Sequence, residues 1–353
     1  MATAPTPTIL NGSYGEGAGA LLRTALLMSA MTRQSVRVHN IRGATRRPGL
    51  SSEDLTFTEL LAKTCDAELS GAELRSNDLT FAPRRDIHPV HLRASVGDHE
   101  KGSVPGNALI ILQGLLPALA RGGGMSKVIL EGETYNPSTL TYDAFEHVTL
   151  HLHRQQGVVA FPQLEMAGFG YANYGEVGLE VEPSAFRGIR WDSRGPLVGA
   201  GAIIAHSEIQ ASSIDRGLEA LHGHFQSLGI RAEISAQKVN SRSPGVHVTT
   251  WVEFERGLGT GQATGQRGVK METVCQSAIS ALTNWLDTDA TLDPYLADQA
   301  LLIAALCEEP TTYSTSAVTK RLTTMAWVIK EFLPIHITIM GQEGYGGVVT
   351  VKR

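Results

Sequence analysis

Residues 11–50 read NGSYGEGAGALLRTALLMSAMTRQSVRVHNIRGATRRPGL. An apolar run, Thr8-Ile9-Leu10, leads into a glycine-rich turn that extends through Gly19. Beyond it Leu21, Leu22, Ala25 and Leu26 recur at helical spacing, and Met28 and Ala30 carry the apolar character on. This pattern predicts a buried helix to about Met31. Ser35–Ile41 alternates, with Val36, Val38 and Ile41 among polar residues, and predicts a strand. Arg42–Gly49 then reads as a loop ending in Pro48-Gly49.

The same grammar returns along the chain. Leu55–Cys65 predicts a helix and Leu79–Ala82 a strand. Asn107–Leu119 is an apolar helix, followed by the strand Lys127–Leu130, a loop at Gly132–Pro137 and a helix over Tyr142–Gln155. Near the carboxyl terminus come a helix at Leu296–Leu306, an extended stretch at Ser316–Thr319, a helix at Leu322–Phe332 and a strand at Ile335–Met340. Three such cycles indicate an internal repeat of roughly 80–100 residues. Between the second and third lies a different segment. It has strands at Leu197–Ala205 and Val246–Phe254 around one helix, Ile214–Leu228, and ends in Gly257, Gly259, Gly261, Gly265 and Gly268, read as a flexible loop. The expected architecture is α/β (α+β): three repeated units of sheet and two helices form a large domain over 1–183 and 269–353. A smaller inserted α/β domain covers 184–268.

Composition sets the outer limits. The 353 residues, 42% hydrophobic and 18% charged, suit two domains and exclude disorder, collagen and coiled coil. Cys65, Cys275 and Cys307 are odd in number and widely spaced, so neither a disulfide framework nor a zinc cage is expected, and a reducing cytoplasm is. The first ten residues lack the basic and apolar regions of a secretory signal. The longest apolar stretch, Ala108–Ala120, is too short to span a bilayer, so no membrane association is expected. The net charge of −5 argues against nucleic-acid binding when averaged over the chain.

Locally the charge says the opposite. No acidic residue stands between Glu16 and Glu53, while Arg23, Arg33, Arg37, Arg42, Arg46 and Arg47 accumulate. Arginine suits bidentate contact with phosphate oxygens. The turn Gly12–Gly19, placed between a strand and a helix, offers unpaired backbone donors to an anion. It lacks the Gly-Lys-[Ser/Thr] of a Walker loop, and as a dinucleotide fingerprint Gly15, Gly17 and Ala20 match weakly. A tight turn with close helix packing would explain the same glycines. Glu16, a lone carboxylate in this basic pocket, is the expected metal ligand if phosphates and magnesium bind together.

The block 11–50 resembles the amino-terminal signature of the RNA 3′-terminal phosphate cyclases: a DGSxGEGGGQ-like turn, an LRT helix and an IRxxR…PGL loop. The likeness continues in LIILQGLLPAL around Gln113, in GETYNP (132–137), at Gly168-Phe169, in YLADQ (295–299) and in LTTMAWVIKEFLP (322–334). An enolpyruvyl-transferase-like enzyme would share the repeat architecture, but IRGATRRPGL matches the cyclases better.

The resemblance implies ATP-dependent chemistry with Mg2+ or Mn2+ at an RNA 3′ end. A histidine takes AMP from ATP and passes it to the RNA 3′-phosphate, and the 2′-hydroxyl closes a 2′,3′-cyclic phosphate. It also implies roles for individual residues. Glu16 would be the metal-side carboxylate, with Gly15 and Gly17 forming the nucleotide turn. Arg23 and Arg42 would grip the 3′-phosphate. Gln113, Asp298 and Gln299 would line the centre, and Tyr295 would stack on adenine.

Several positions depart from the family pattern. Ala20 replaces a glutamine, Thr45 stands at the second loop arginine with Arg46 beside it, and Leu140 or Thr141 takes the place of an adenine-flanking proline. GFGYANYGEVG (168–178) replaces the family's glycine-rich turn. The nucleophilic histidine position reads Arg321. A guanidinium has no lone pair to offer at neutral pH but can bind phosphate. Lys320 is adjacent, and would need a lowered pKa to act as a nucleophile. His206 and His336 read as ordinary packing or surface residues. The pairs His88/His91, His151/His153 and His222/His224 lack a third metal ligand. Two functions follow: a cyclase working by a modified route, or a non-catalytic relative that binds RNA ends or phosphorylated ligands in RNA processing.

Overall fold

Each of three successive units turns the same local grammar into the same sheet. The computed structural model describes residues 6–97, 106–136, 139–170 and 173–353. Pro137 of the GETYNP stretch and Tyr171-Ala172 of the GFGYANYGEVG stretch lie outside the described residues.

The first unit contains β1 (Thr8–Asn11), α1 (Gly19–Thr32), β2 (Val36–His39), α2 (Ser52–Cys65), β3 (Glu68–Ser70) and β4 (Asp78–Ala82), with sheet order β1-β2-β4-β3. The second contains β5 (His91–Ser95), α3 (Ala108–Arg121) and β6 (Ser126–Gly132). Its second helix begins as α4 (Tyr142–Ala144) and runs through a π-helical turn (Phe145–Thr149) into α5 (Leu150–Gln155). The strands β7 (Ala160–Met166) and β8 (Gly175–Val181) close it in the order β5-β6-β8-β7.

The third unit opens with the two-residue strand β9 (Arg190–Trp191), after which the chain leaves for the inserted segment. That segment builds its own sheet from β10 (Leu197–Ser207), β11 (Glu233–Lys238), β12 (Gly245–Phe254) and β13 (Gly257–Thr264), with helices α6 (Ala211–Ser227) and α7 (Met271–Leu286). The third unit then resumes with α8 (Pro294–Leu306), β14 (Thr311–Thr315), α9 (Lys320–Lys330), β15 (His336–Gly341) and β16 (Gly347–Lys352), in the order β15-β16-β14-β9. In all three units the first strand pairs parallel with the second, and the remaining pairings are antiparallel. The repeat read from the sequence is therefore a repeat of topology. No helix among the described residues is long and apolar enough to cross a membrane.

The first helix of each unit is largely buried. α1, α3 and α8 are rich in Leu, Ile and Ala on all sides, which is the composition of a helix with no face left for water. One apolar core runs from Leu10 to Val351 through all three units. A second core, from Ala200 to Ala290, belongs to the insertion and takes in Val274, Ala278, Leu282 and Trp285 of α7. Helix α7 thus packs with the insertion, beyond the boundary at 268 drawn from the composition.

Two local readings change. Three of the glycines expected to make a flexible loop at 257–268, Gly257, Gly259 and Gly261, instead lie within β13. A Cβ at Gly259 would lie 2.1 Å from the Trp285 ring, and one at Gly261 would lie 2.1 Å from the Ala278 carbonyl oxygen. Glycine is required there because α7 lies directly on the strand, not because the chain must bend. The extended stretch expected at Ser316–Thr319 is preceded by the actual strand, β14, in which Thr311, Tyr313 and Thr315 are the buried set. Buried threonines hid its alternation. Cys65, Cys275 and Cys307 are free and buried.

Candidate functional site

The Gly12–Gly19 turn is held against a helix of another unit. Gly15 and Gly17 both adopt positive φ, 59° and 57°. A Cβ on Gly15 would collide with Thr324 Oγ1 of α9, and one on Gly17 would meet Ala44 of the arginine loop. The intervening Glu16 donates its backbone N–H to Thr324 Oγ1 at 2.9 Å. These glycines serve close packing, and the packing sets the Glu16 side chain beside α9.

There Glu16 Oε1 accepts from Arg321 at 3.3 Å, while Glu16 Oε2 is buried with no partner among the described residues. Burial pulls the Arg321 guanidinium down, but the charges of Glu16 and Asp298 outweigh it and hold it above its ordinary value. Asp298, on α8, accepts from Thr319 Oγ1 at 2.7 Å. Burial pushes its carboxyl up to about 7, against the pull of Thr319 and Arg321.

The arginine-rich stretch is less bare than its sequence suggests. Arg37 pairs with Asp78 at 2.8 Å and Arg33 with Asp86 at 3.5 Å, both on the surface. Arg46 and Arg47 lie exposed on the loop, so Arg46 does not take up the place of the missing loop arginine in the cavity. Thr45 instead braces that loop, donating to the Arg42 and Arg47 carbonyls.

Arg23 and Arg42 reach the same partner. Asp54, fully buried at the start of α2, accepts from Arg23 at 2.6 Å, from Arg42 at 3.1 Å and from Ser51 Oγ at 2.8 Å. One carboxylate balances only one of the two guanidiniums. Arg42 has positive φ, 54°, and its Nε is buried without a partner among the described residues. A guanidinium held by Asp54 with an unused donor suits a further acceptor.

These groups border one cavity of about 550 Å3 between the three-unit body and the insertion. Arg23, Gln113, Tyr295, Asp298, Gln299 and Arg321 line it, so six of the expected site residues converge from α1, α3, α8 and α9. Ala20 also lines it, so the lost glutamine is replaced by open space, and Leu140 stands in the wall. Glu16 and Arg42 are joined to the lining residues through Arg321 and Asp54. Tyr295 is 67% exposed at the cavity margin, a ring free to stack on a ligand. Gln299 Oε1 is buried and unpartnered among the described residues.

Sequence reasoning missed Asp54 and Thr319, which bind the Arg23, Arg42 and Asp298 side chains, and Thr324, which holds the Glu16 backbone. It also missed the whole wall supplied by the insertion. The Ser51-Ser52-Glu53-Asp54 run carried a signal for Asp54, but as a helix start: Ser51 caps α2 by accepting from Asp54 N–H.

No group of three or more His, Cys, Asp or Glu among the described residues could hold a metal ion unaided. Three of the paired histidines of the sequence have other partners: His151 contacts Glu253 at 2.9 Å, His88 contacts Asp66, and His153 is buried beside Gln156. The free Glu16 oxygen does suit a Mg2+-type ion, which takes one or two carboxylates and completes its shell with phosphate oxygens and water.

A family model described as RNA 3′-terminal phosphate cyclase matches residues 14–339. Curated relatives of that description are similar over nearly the whole length. The one from Methylococcus capsulatus is 33% identical over 97% of this chain and 95% of its own. The one from Trichormus variabilis is 31% identical over 94% and 95%, and the one from Archaeoglobus fulgidus 30% over 92% and 95%. The chain belongs to the RNA 3′-terminal phosphate cyclase family. Among solved structures, the enolpyruvyl transferase NikO from Streptomyces tendae is similar at 13% identity, covering 98% of this chain and 48% of that one. Its TM-score of 0.36 is too low to bear on the fold.

Proposed function

We propose that this protein binds the phosphate-bearing 3′ end of an RNA together with a nucleotide in the 550 Å3 cavity, and that no covalent AMP forms at position 321. The observation that carries the reading is the pair Arg23 and Arg42 on a single buried Asp54, with Arg321 in the same cavity. The surplus positive charge and the unused Arg42 donor suit a phosphate, which accepts several charge-assisted hydrogen bonds at once. The exposed Tyr295 ring is suited to stack on the base of ATP. A Mg2+ or Mn2+ ion arriving with ATP would be held by Glu16 Oε2 and would supply further neutralisation of phosphate charge.

The cyclases named above provide the alternative: ATP-dependent closure of a 3′-phosphate to a 2′,3′-cyclic phosphate through adenylylated intermediates. The chemistry at position 321 disfavours it here. Arg321 stays protonated beside Glu16 and offers phosphate a cation where the route needs a lone pair. Lys320 does not replace it, since its ammonium is largely exposed, pairs with Glu343 at 3.7 Å and does not line the cavity. The reading is therefore of a family member whose phosphate grip is retained for RNA-end binding in RNA processing.

Incubation with α-labelled ATP and Mg2+ or Mn2+ tests this directly. After denaturation the protein is expected to carry no label. A labelled band that disappears in Lys320→Ala would overturn the reading in favour of a modified adenylylating enzyme.

A further inference from the structure

The chain crosses between the three-unit body and the insertion twice. The entry crossing, 192–196, runs from β9 to β10, and the exit crossing, 287–293, runs from α7 to α8. Both are short, so whatever anchors them sets the angle at which the insertion faces the body. The exit crossing is anchored by its backbone. Thr291 accepts from Leu258 N–H of β13 at 2.8 Å, and Leu292 N–H donates to the Ser314 carbonyl of β14 at 2.9 Å. Leu292 thereby bridges a strand of the insertion and a strand of the body. Asp293 adds a side-chain tie, accepting from Thr260 N–H of β13 at 3.0 Å.

The entry crossing is anchored by one side chain. Trp191, the last residue of β9, is paired with Tyr313 in the body sheet. Only Asp192 and Ser193 separate it from Arg194, whose guanidinium turns onto the end of α7 and the exit crossing. Its Nε donates to the Ala290 carbonyl at 2.7 Å and its Nη1 to the Leu286 carbonyl at 3.2 Å. Its Nη2 donates to the Trp285 carbonyl at 2.7 Å and to Thr288 Oγ1 at 3.4 Å. The same group lies 4.0 Å from the centre of the Trp285 ring and 5.4 Å from that of Phe254. Carbonyls at the end of a helix lack intrahelical partners and carry the negative end of its dipole, which suits a fork of cationic donors. Arg194 does not line the cavity, but Ala281, Asn284 and Trp285 of α7 do. The turn of helix that it holds is therefore part of the cavity wall.

We propose that Arg194 is a positioning residue that clamps the entry crossing to the exit crossing, and so fixes the angle of the insertion and the width of the cavity. With the clamp, the free length of the entry crossing is two residues. Without it, the crossing is loose as far as the start of β10, where Leu197 and Val198 are exposed and the ladder to β12 is shifted in register. The insertion would then pivot on Leu292 alone, and α7 would no longer stand at a set distance from Arg23 and Arg321. The clamp rests on geometry alone; its consequence for binding rests on the phosphate-end reading above.

Pulsed electron–electron double resonance tests the clamp in the full chain, with one nitroxide on Lys63→Cys in α2 of the body and one on Gln226→Cys in α6 of the insertion. Both positions are exposed, whereas Cys65, Cys275 and Cys307 are buried. Arg194→Met keeps an unbranched stem and removes every donor. It is expected to broaden the distance distribution between the labels. It should also weaken binding of a 3′-phosphorylated oligonucleotide about threefold to tenfold, as the fraction of molecules with a formed cavity falls. Arg194→Lys keeps the charge and one reachable carbonyl, so it should restore part of both. A lower denaturant midpoint with an unchanged distribution would mean that Arg194 only stabilises the end of α7, and would overturn the proposal. If Arg194→Met does not fold, the distribution of Arg194→Lys decides, and an unchanged one overturns the proposal. Broadening in a protein whose wild type binds no 3′-phosphorylated oligonucleotide leaves the clamp standing and overturns the phosphate-end reading.

Discussion

Asp54→Ala is expected to destabilise the protein by about 3–5 kcal/mol, the cost of removing one partner from a buried ion pair. The carboxylate is fully buried and receives two guanidiniums and the Ser51 hydroxyl. Its loss would leave two largely buried cations facing each other without a counter-charge. Asp54→Asn keeps the shape and an acceptor but not the charge, so it should fall between wild type and Asp54→Ala. Denaturant unfolding of the three proteins measures the order. A loss of under about 1 kcal/mol for Asp54→Ala would mean that the arginines are paired elsewhere and that Asp54 does not organise them.

Replacing both Arg23 and Arg42 by alanine should lower affinity for a 3′-phosphorylated oligonucleotide by about 100-fold or more. Each hydrogen bond to a charged group contributes roughly 1.5–3 kcal/mol, or about tenfold to a hundredfold. Because the double variant also leaves Asp54 unpaired, Arg23→Lys is the informative companion. Lysine keeps the positive charge but loses the planar fork, and an intermediate loss is expected. Binding of an oligonucleotide with a 3′-hydroxyl should change little in either variant. Intact binding of the phosphorylated end by the double variant would mean that the phosphate lies elsewhere. The comparison holds only at one salt concentration, since phosphate contacts release counter-ions.

The parts of this molecule that were legible in sequence are those dictated by local periodicity. The Leu21–Ala30 pattern specified α1, and its echoes in Asn107–Leu119 and Leu296–Leu306 specified α3 and α8, all largely buried. β9, which opens the third unit, is two residues long and too short to show a period. β13 was hidden because glycine is read locally as freedom, whereas these glycines answer to Trp285 and Ala278 of a helix that comes later in the chain.

The site was legible as residue types but not as charge balance. Arg23 and Arg42 stood out because no acid lies near them in sequence, while Asp54 reaches them only after α2 packs against α1. Glu16 was expected to face phosphate or metal, and one of its oxygens is taken by Arg321 from the opposite end of the chain. No spacing rule connects those two positions. The pairing places Arg321 among the cations that border the cavity.

Recognition of the terminal 3′-phosphate is the property on which the proposed function of this protein rests. Equilibrium binding of the wild-type protein to two otherwise identical RNA oligonucleotides, one ending in a 3′-phosphate and one in a 3′-hydroxyl, measures it at a single fixed salt concentration. The phosphorylated end is predicted to bind about tenfold or more tightly, the contribution of at least one charge-assisted contact from the Arg23, Arg42 and Arg321 set. Equal affinity for the two oligonucleotides would contradict it.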